Sequence, residues 1–315
     1  MKIEEIKKAL EEIYDESRGA TLKELNAIKH VGINDEKDTV VLIVETLEKS
    51  SKAEDLLKRK IAKVIKIDLG FSGVRIQFEE AKDASKALKN VILIAGLEGG
   101  AGKSTFTINL AYSLKKAGKK VAIIDADIYG ASIANMLKAT DSGLNVNSAN
   151  KIIPPIYDNM QIMSIDFFSE PTEPLMWRGE MLSSMINNYL FQVEWDKDTD
   201  YTLIDMPSTT GDTLLDVASY VPSASAIILS TEDRNGAHLS YKTYKAIKEL
   251  NLDLIGFVVN KYTGCKDAPN YLFENCKDSE VLAEIKLSNL DDNYTIKDED
   301  AKKVYDDIAS IIMIR

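Results

Sequence analysis

At 315 residues the chain has room for one large domain and a small one. Its net charge of −11, with 45% hydrophobic and 28% charged residues, fits a soluble globular protein and speaks against a general nucleic-acid binder, which needs a basic face. No run approaches the roughly eighteen apolar residues of a membrane-crossing helix, the opening MKIEEIKKALEEIY has no apolar leader core, and two cysteines are too few for a disulfide framework, so the expected compartment is the cytoplasm.

Residues 1–80 are expected to form a small α+β domain. Ile3, Ile6, Leu10, Ile13 and Tyr14 sit at helical spacing and predict an opening amphipathic helix. Ile28 to Ile33 and Thr39 to Thr46 predict two strands around the polar turn Asn34-Asp35-Glu36-Lys37. Ser51 is the expected N-cap of a helix through Ala53, Leu56, Leu57, Ile61, Val64 and Ile65. Gly73 to Phe78 predicts a closing strand. Residues 81–90 are polar and read as a linker, and the large domain is expected over 91–315.

The large domain opens on VILIAGLEGGAGKST, Val91 to Thr105. Five apolar residues predict a short buried strand, and Gly102-Lys103-Ser104-Thr105 then opens an amphipathic run, Phe106 to Leu114. Strand, glycine-rich turn, Gly-Lys-Ser and helix together describe a P-loop. Gly99, Gly100, Ala101 and Gly102 would turn backbone N–H groups into one concavity, and the helix N-terminus adds positive potential. Lys103 would reach the β- and γ-phosphates of ATP, and the Ser104 hydroxyl would hold Mg²⁺, with Thr105 beside it. The strict motif wants glycine at position 97, where this chain has Leu97. The order Glu98 to Ser104 resembles instead the deviant Walker A loop, GKGGVGKST, of the MinD, ParA and nitrogenase iron-protein group. That resemblance implies a signature lysine at the position of Glu98.

Further along, Val121 to Ile124 predicts a buried strand ending in Asp125-Ala126-Asp127, where α/β sheets place their ligands. Asp127 is the expected orienter of the attacking water, and Asp125 the expected carboxylate on the magnesium side. Tyr201 to Ile204 predicts another buried strand. It ends in Asp205, the expected Walker B carboxylate, which would accept from Mg²⁺-bound water or from Ser104. Pro207 to Gly211 is a turn placed to sense the γ-phosphate, with Gly211 offering its N–H and a hinge. Ala224 to Ser230 and Asp253 to Val259 predict two more core strands. Val281 to Ile285 is the expected last strand, and Ala301 to Ile312 a closing helix. His30 and His238 have no partners at metal spacing and read as structural or solvent-facing.

The strings DADIYGAS (Asp125 to Ser132), WRGEM (Trp177 to Met181) and DMPSTTGD (Asp205 to Asp212) resemble the DADIYGPS, WRGPM and DLPPGTGD of the Mrp/ApbC family of P-loop ATPases. Order and spacing agree from about Val91 to Ile285. The resemblance implies a doubly wound, mostly parallel α/β sheet, a homodimer and slow ATP hydrolysis. It further implies a role in iron–sulfur cluster assembly or carriage, with assembly or client proteins as partners. It also implies that Asn260 contacts adenine, which an amide's donor and acceptor suit. The order of elements in residues 1–80 is similar to the small domain that often precedes such ATPases.

Two departures qualify these expectations. The family's Cys-x-x-Cys is reduced to Cys265, with Ala268 three residues on and Cys276 eleven residues away. Two protomers would still bring four thiols to an iron–sulfur cluster, with Cys265 the expected ligand; the lost spacing favours ordinary reduced thiols. Glu98 reverses a charge beside a triphosphate, an effect on the order of 4 kcal/mol at about 4 Å and an effective dielectric of about 20. Arg178 or Arg234 would be the substitute cation. The alternatives to a carrier are a nucleotide-switched dimeric scaffold without a cluster and a MinD/ParA-like positioning ATPase. The latter needs a basic amphipathic tail, and Asp306 and Asp307 offset the bases of the last helix. Neither nucleic acid nor a membrane is an expected partner.

Overall fold

The structure, a computed structural model, describes residues 3–17, 20–23, 25, 27–34, 38–46, 51–80, 83–140, 143–168, 179–209 and 211–315. The chain divides into two compact units, Met1–Asp83 and Ala84–Arg315.

In the first unit α1 (Ile3–Glu11) is followed by the short pair β1 (Tyr14–Asp15) and β2 (Ala20–Thr21). Next come β3 (Ile28–Asn34), β4 (Thr39–Thr46), α2 (Lys52–Lys63) and β5 (Gly73–Glu80). The sheet runs β3-β4-β5, with β3 antiparallel and β5 parallel to β4. Val40, Leu42 and Val44 alternate into the core, where Ile6 and Leu10 of α1 and Leu57 and Ile61 of α2 meet them. The Ser51 hydroxyl accepts from the Glu54 N–H at 3.1 Å, the N-cap that the sequence predicts. A π-helical turn, Val64–Asp68, extends α2 and carries Ile65 into the same core. Tyr14 falls outside the opening helix and pairs instead with Thr21. Residues 35–37 of the expected turn lie outside the described residues.

The second unit begins earlier than expected. Ala84 and Leu88, placed by the sequence in a linker, are buried in its core beside Val91. Its elements are β6 (Val91–Ala95), α3 (Lys103–Lys116), β7 (Val121–Asp125), α4 (Ile133–Met136), β8 (Asn145–Val146), β9 (Ile152–Ile153), β10 (Ile156–Tyr157) and β11 (Met160–Met163). There follow α5 (Gly179–Phe191), β12 (Tyr201–Asp205), α6 (Asp212–Tyr220), β13 (Ser225–Ser230), α7 (Arg234–Glu249), β14 (Asp253–Tyr262), α8 (Asp267–Asn275), β15 (Val281–Lys286) and α9 (Glu299–Ile314). Eight strands form one sheet in the order β10-β11-β7-β12-β6-β13-β14-β15. All its pairings are parallel except that of the edge strand β10 with β11.

Every residue of β6, β7 and β12 is buried, because helices cover both faces of the sheet. Successive residues feed opposite cores. Leu93, Ile124 and Ile204 pack with Tyr189 of α5, Leu214 of α6 and Ile247 of α7. Ile92, Ile94, Ile123 and Leu203 pack with Phe106 of α3 and Ile308 of α9. Phe106 and Tyr305 lie with ring centroids 5.3 Å apart, so the apolar face of the last helix is spent on α3. The chain leaves β6 toward β7 on one side and later places β13 on the other. The crevice at the carboxyl end of β6 is the kind of switch point where such sheets bind ligands.

Candidate functional site

The turn after β6 needs backbone that only glycine supplies readily. Gly100 and Gly102 have φ of +79° and +91°. A Cβ on Gly102 would lie 2.6 Å from Nδ2 of Asn260. That amide donates instead to the Ala101 carbonyl at 2.7 Å, and Lys261 Nζ donates to the Gly100 carbonyl at 2.6 Å. The end of β14 thus clamps the turn from one side. One amide proton of Asn260 is committed to this clamp; the other and the side-chain oxygen are what it can offer a base.

Gly102 is the N-cap of α3 and brings no side chain to the first-turn N–H groups, and no acidic residue stands in that turn. The amides from Lys103 through Thr105 therefore face outward with the positive end of the helix. Lys103 is 7% exposed and donates to Ser208 Oγ at 2.6 Å and to the Glu98 carbonyl at 3.5 Å. Burial pulls its ammonium below the usual lysine range, against the pull of Asp205, Asp127 and Glu98. The Ser104 hydroxyl donates to Asp205 Oδ2 at 2.6 Å, and Thr107 reaches Asp205 Oδ1 at 3.4 Å. Burial pushes the Asp205 carboxyl up to about 7, helped by the charge of Asp127 and resisted by Ser104, Lys103 and Thr107. A buried carboxylate that is costly to ionise, joined to a serine hydroxyl beside a lysine, suits a divalent cation, whose charge would restore the ionised form.

The two aspartates after β7 separate in role. Asp127 is half-buried, accepts from the Gly130 N–H at 3.1 Å, and lies close enough to Lys103 and Asp205 to act on both charges. Asp125 is 0% exposed and turned into the fold. Its Oδ2 accepts from the N–H groups of Ser132 and Ile133 at 3.0 and 3.1 Å and from Ser164 Oγ at 3.4 Å. Burial and the neighbouring Asp205 hold it well above the usual carboxylate range. Asp125, the expected carboxylate on the magnesium side, anchors the start of α4, whereas Ser104 and Asp205 are bonded to each other beside Lys103.

Glu98 points away from the turn that it opens. Its carboxylate accepts from Thr231 Oγ1 at 2.7 Å and from the Thr231 N–H at 3.2 Å, so it seats on the turn after β13. Arg234 opens α7 beside that turn with an exposed side chain, and Trp177 and Arg178 lie outside the described residues. Gly211 caps α6, accepting from the Leu214 and Leu215 N–H groups at 3.1 and 3.4 Å. Cys265 is half-buried in the loop after β14. Cys276 is 0% exposed, and burial pushes its thiol up to about 11. Among the described residues no group of three or more His, Cys, Asp and Glu is placed to hold a metal ion, and both histidines are exposed.

Ser208, Thr107, Thr231 and Lys261 all touch this site, and sequence reasoning did not single them out. Ser208 lies three residues past Asp205, in a segment already expected to sense phosphate, so its place was the available signal. Thr107 stands one turn along α3 from Lys103, and Thr231 and Lys261 reach the site from the ends of β13 and β14.

A glycine turn with left-handed backbone, an uncapped helix start, a buried lysine and a serine–aspartate pair at the carboxyl edge of a parallel sheet define a P-loop nucleoside-triphosphatase site. Residues 87–305 match the family described as ParA, NUBPL iron-transfer P-loop NTPase, and the chain belongs to that family. A protein named iron-sulfur cluster carrier protein from Bacillus subtilis is 34% identical over 278 residues, covering 82% of this chain and 77% of its own. One of the same name from Haemophilus influenzae is 32% identical over 212 residues, covering 67% and 57%. Among solved structures, a nucleotide-binding protein from Archaeoglobus fulgidus in complex with ADP aligns with a TM-score of 0.54 at 24% identity, covering 74% of this chain and 91% of its own. The cell division ATPase MinD of Pyrococcus furiosus aligns with a TM-score of 0.55 at 21% identity, covering 72% and 99%. These two share the fold.

Proposed function

We propose that this protein is a nucleotide-dependent carrier of iron–sulfur clusters that binds ATP and hydrolyses it slowly as a homodimer. One observation carries the reading: the loop that presents Cys265 grows from the same strand end, Asn260 and Lys261, that clamps the phosphate turn. A thiol and a nucleotide cradle are thereby built on one support. The names borne by the relatives point the same way.

Lys103 balances the charge of the β- and γ-phosphates, and the free amides of α3 bind their oxygens. Ser104 would hold magnesium directly and Asp205 through a bound water; when bound, the ion neutralises charge on the phosphates. Asp127, exposed to the crevice and not committed to a buried turn as Asp125 is, orients the water that attacks the γ-phosphorus, with ADP as the leaving group. The cluster is cargo. Cys265 of each copy supplies a thiolate, whereas Cys276 is sealed in the core with its thiol held protonated. Two thiolates grip less firmly than four, which suits handover to a client protein.

The buried Cys276 also favours a second reading, a nucleotide-switched scaffold with no cluster. Anaerobic reconstitution with iron and sulfide separates the two. The carrier reading expects iron retained by wild type and by Cys276→Ala and lost in Cys265→Ala. No retained iron above background in wild type leaves the scaffold.

A further inference from the structure

Glu232 follows Thr231 directly, and its carboxylate gathers the loop that carries Cys265. It accepts from the N–H groups of Thr263, Gly264 and Cys265 at 2.7, 3.1 and 3.0 Å and from Thr263 Oγ1 at 2.5 Å. The Glu232 carbonyl also accepts from the Ala268 N–H at 3.0 Å, fixing the start of α8 just past the cysteine. These bonds hold its carboxyl below the usual range, so it carries full charge while it holds the loop.

The neighbouring residue is held from the other direction. Thr231 has one hydroxyl proton and three carboxylate oxygens around it: both of Glu98, at 2.9 and 2.7 Å, and Asp233 Oδ2 at 2.9 Å. The carboxylate of Glu98 can seat there because residue 236 is glycine; a Cβ at that position would lie 2.8 Å from Glu98 Oε2. The backbone of Glu98 meanwhile belongs to the phosphate turn, its carbonyl accepting from Lys103 and from Ser208. Three links therefore run in series from the buried lysine to the cysteine loop: Lys103 to Glu98, Glu98 to Thr231, and Glu232 to Cys265.

We propose that Glu232 is the positioning residue of the Cys265 thiol, and that Glu98 ties this support to the phosphate turn, so that nucleotide on Lys103 changes the reactivity of Cys265 within the same chain. A nucleotide that takes the Lys103 ammonium withdraws it from the Glu98 carbonyl and from Ser208. The turn then shifts at Glu98, and the shift passes through Thr231 to the one carboxylate that orders residues 263–265. A carboxylate at position 98 does this within a single copy by accepting from the Thr231 N–H and hydroxyl, which a lysine side chain, having no acceptor, could not do.

This inference rests on the nucleotide reading above, and its test separates the two. The full chain, reduced, is alkylated with iodoacetamide, and labelling of Cys265 is timed by mass spectrometry, with the buried Cys276 as internal reference. Rates are compared without nucleotide and with magnesium and a non-hydrolysable ATP analogue at saturation, bound analogue being counted by equilibrium dialysis. Wild type is expected to change its Cys265 rate roughly five-fold or more on saturation. Glu98→Ala, Glu232→Ala and Thr231→Val are expected to bring the ratio close to one, and Thr231→Ser, which keeps the hydroxyl, to restore it. A merely structural part for these residues would move the basal rate and leave the ratio intact. Ratios preserved in Glu98→Ala and Thr231→Val overturn the proposal. Bound analogue with a ratio of one in wild type overturns the coupling and leaves nucleotide binding standing, whereas no bound analogue overturns both.

Discussion

Replacing Asp205 by asparagine should stabilise the nucleotide-free protein at neutral and higher pH while disabling its use of magnesium and nucleotide. Burial lifts the Asp205 carboxyl from 3.8 to about 7, so the folded state resists the charge that the unfolded chain accepts freely. Below the unfolded value both states are protonated, and no penalty exists. Between 3.8 and about 7 the folded state holds the extra proton, and stability falls as pH rises. Above about 7 the full penalty stands, on the order of 4 kcal/mol at roughly 1.4 kcal/mol per pH unit of displacement. The substituted amide would carry no charge and can still accept from Ser104, so the hydrogen bond survives the exchange. The transition of the large unit should rise by about 10 °C at about pH 8, at roughly 2–4 °C per kcal/mol, and hardly move at about pH 4. Thermal melts of both proteins at the two pH values, without nucleotide, measure this. The same melts with magnesium and ATP should stabilise wild type and not the variant. An equal gain at both pH values, or none at the higher one, would show that Asp205 is not a strained charge and would undo the assignment of the magnesium side.

Gly102→Ala should abolish nucleotide binding, because it forces a side chain into left-handed backbone at φ +91° and drives a Cβ against Asn260. A loss of affinity below about ten-fold, read by fluorescent-analogue titration, would refute the need for that glycine, since strain of roughly 1–2 kcal/mol alone approaches it. Ser208→Ala removes the 2.6 Å acceptor of a buried ammonium and should lower the stability of the nucleotide-free protein by about 1–2 kcal/mol. Urea unfolding with an unchanged midpoint would show that Lys103 finds another partner.

The P-loop, the Walker B strand and most of the core strands were legible in the chain, because each is a local pattern. An apolar run ending in glycine or aspartate states both a buried strand and what stands at its carboxyl end, and position 105 needs no distant partner to follow a Gly-Lys-Ser. Strand order was not legible. Nothing local in Met160–Met163 says that it lies beside β7, or that the two residues of β10 turn back along it. Ala84 and Leu88 looked like linker because three alanines and one leucine among polar residues offer little apolar surface, yet a distant core receives them.

The sequence by itself determined that a phosphate-binding turn exists and which residues compose it, since glycines, lysine and serine act there through their own backbone and neighbouring positions. It also showed that Glu98 and Cys265 depart from the family's pattern. Only the tertiary structure decided what those departures do. Whether Glu98 faces phosphate or protein depends on Thr231, 133 residues away in sequence, and whether Asp125 meets water depends on Ser132, Ile133 and Ser164 closing over it. The two cysteines are alike in sequence, and packing alone seals one and leaves the other on the loop that Glu232 holds. Charge and burial at a given atom come from all the elements that surround it, and it is the fold that brings those elements together.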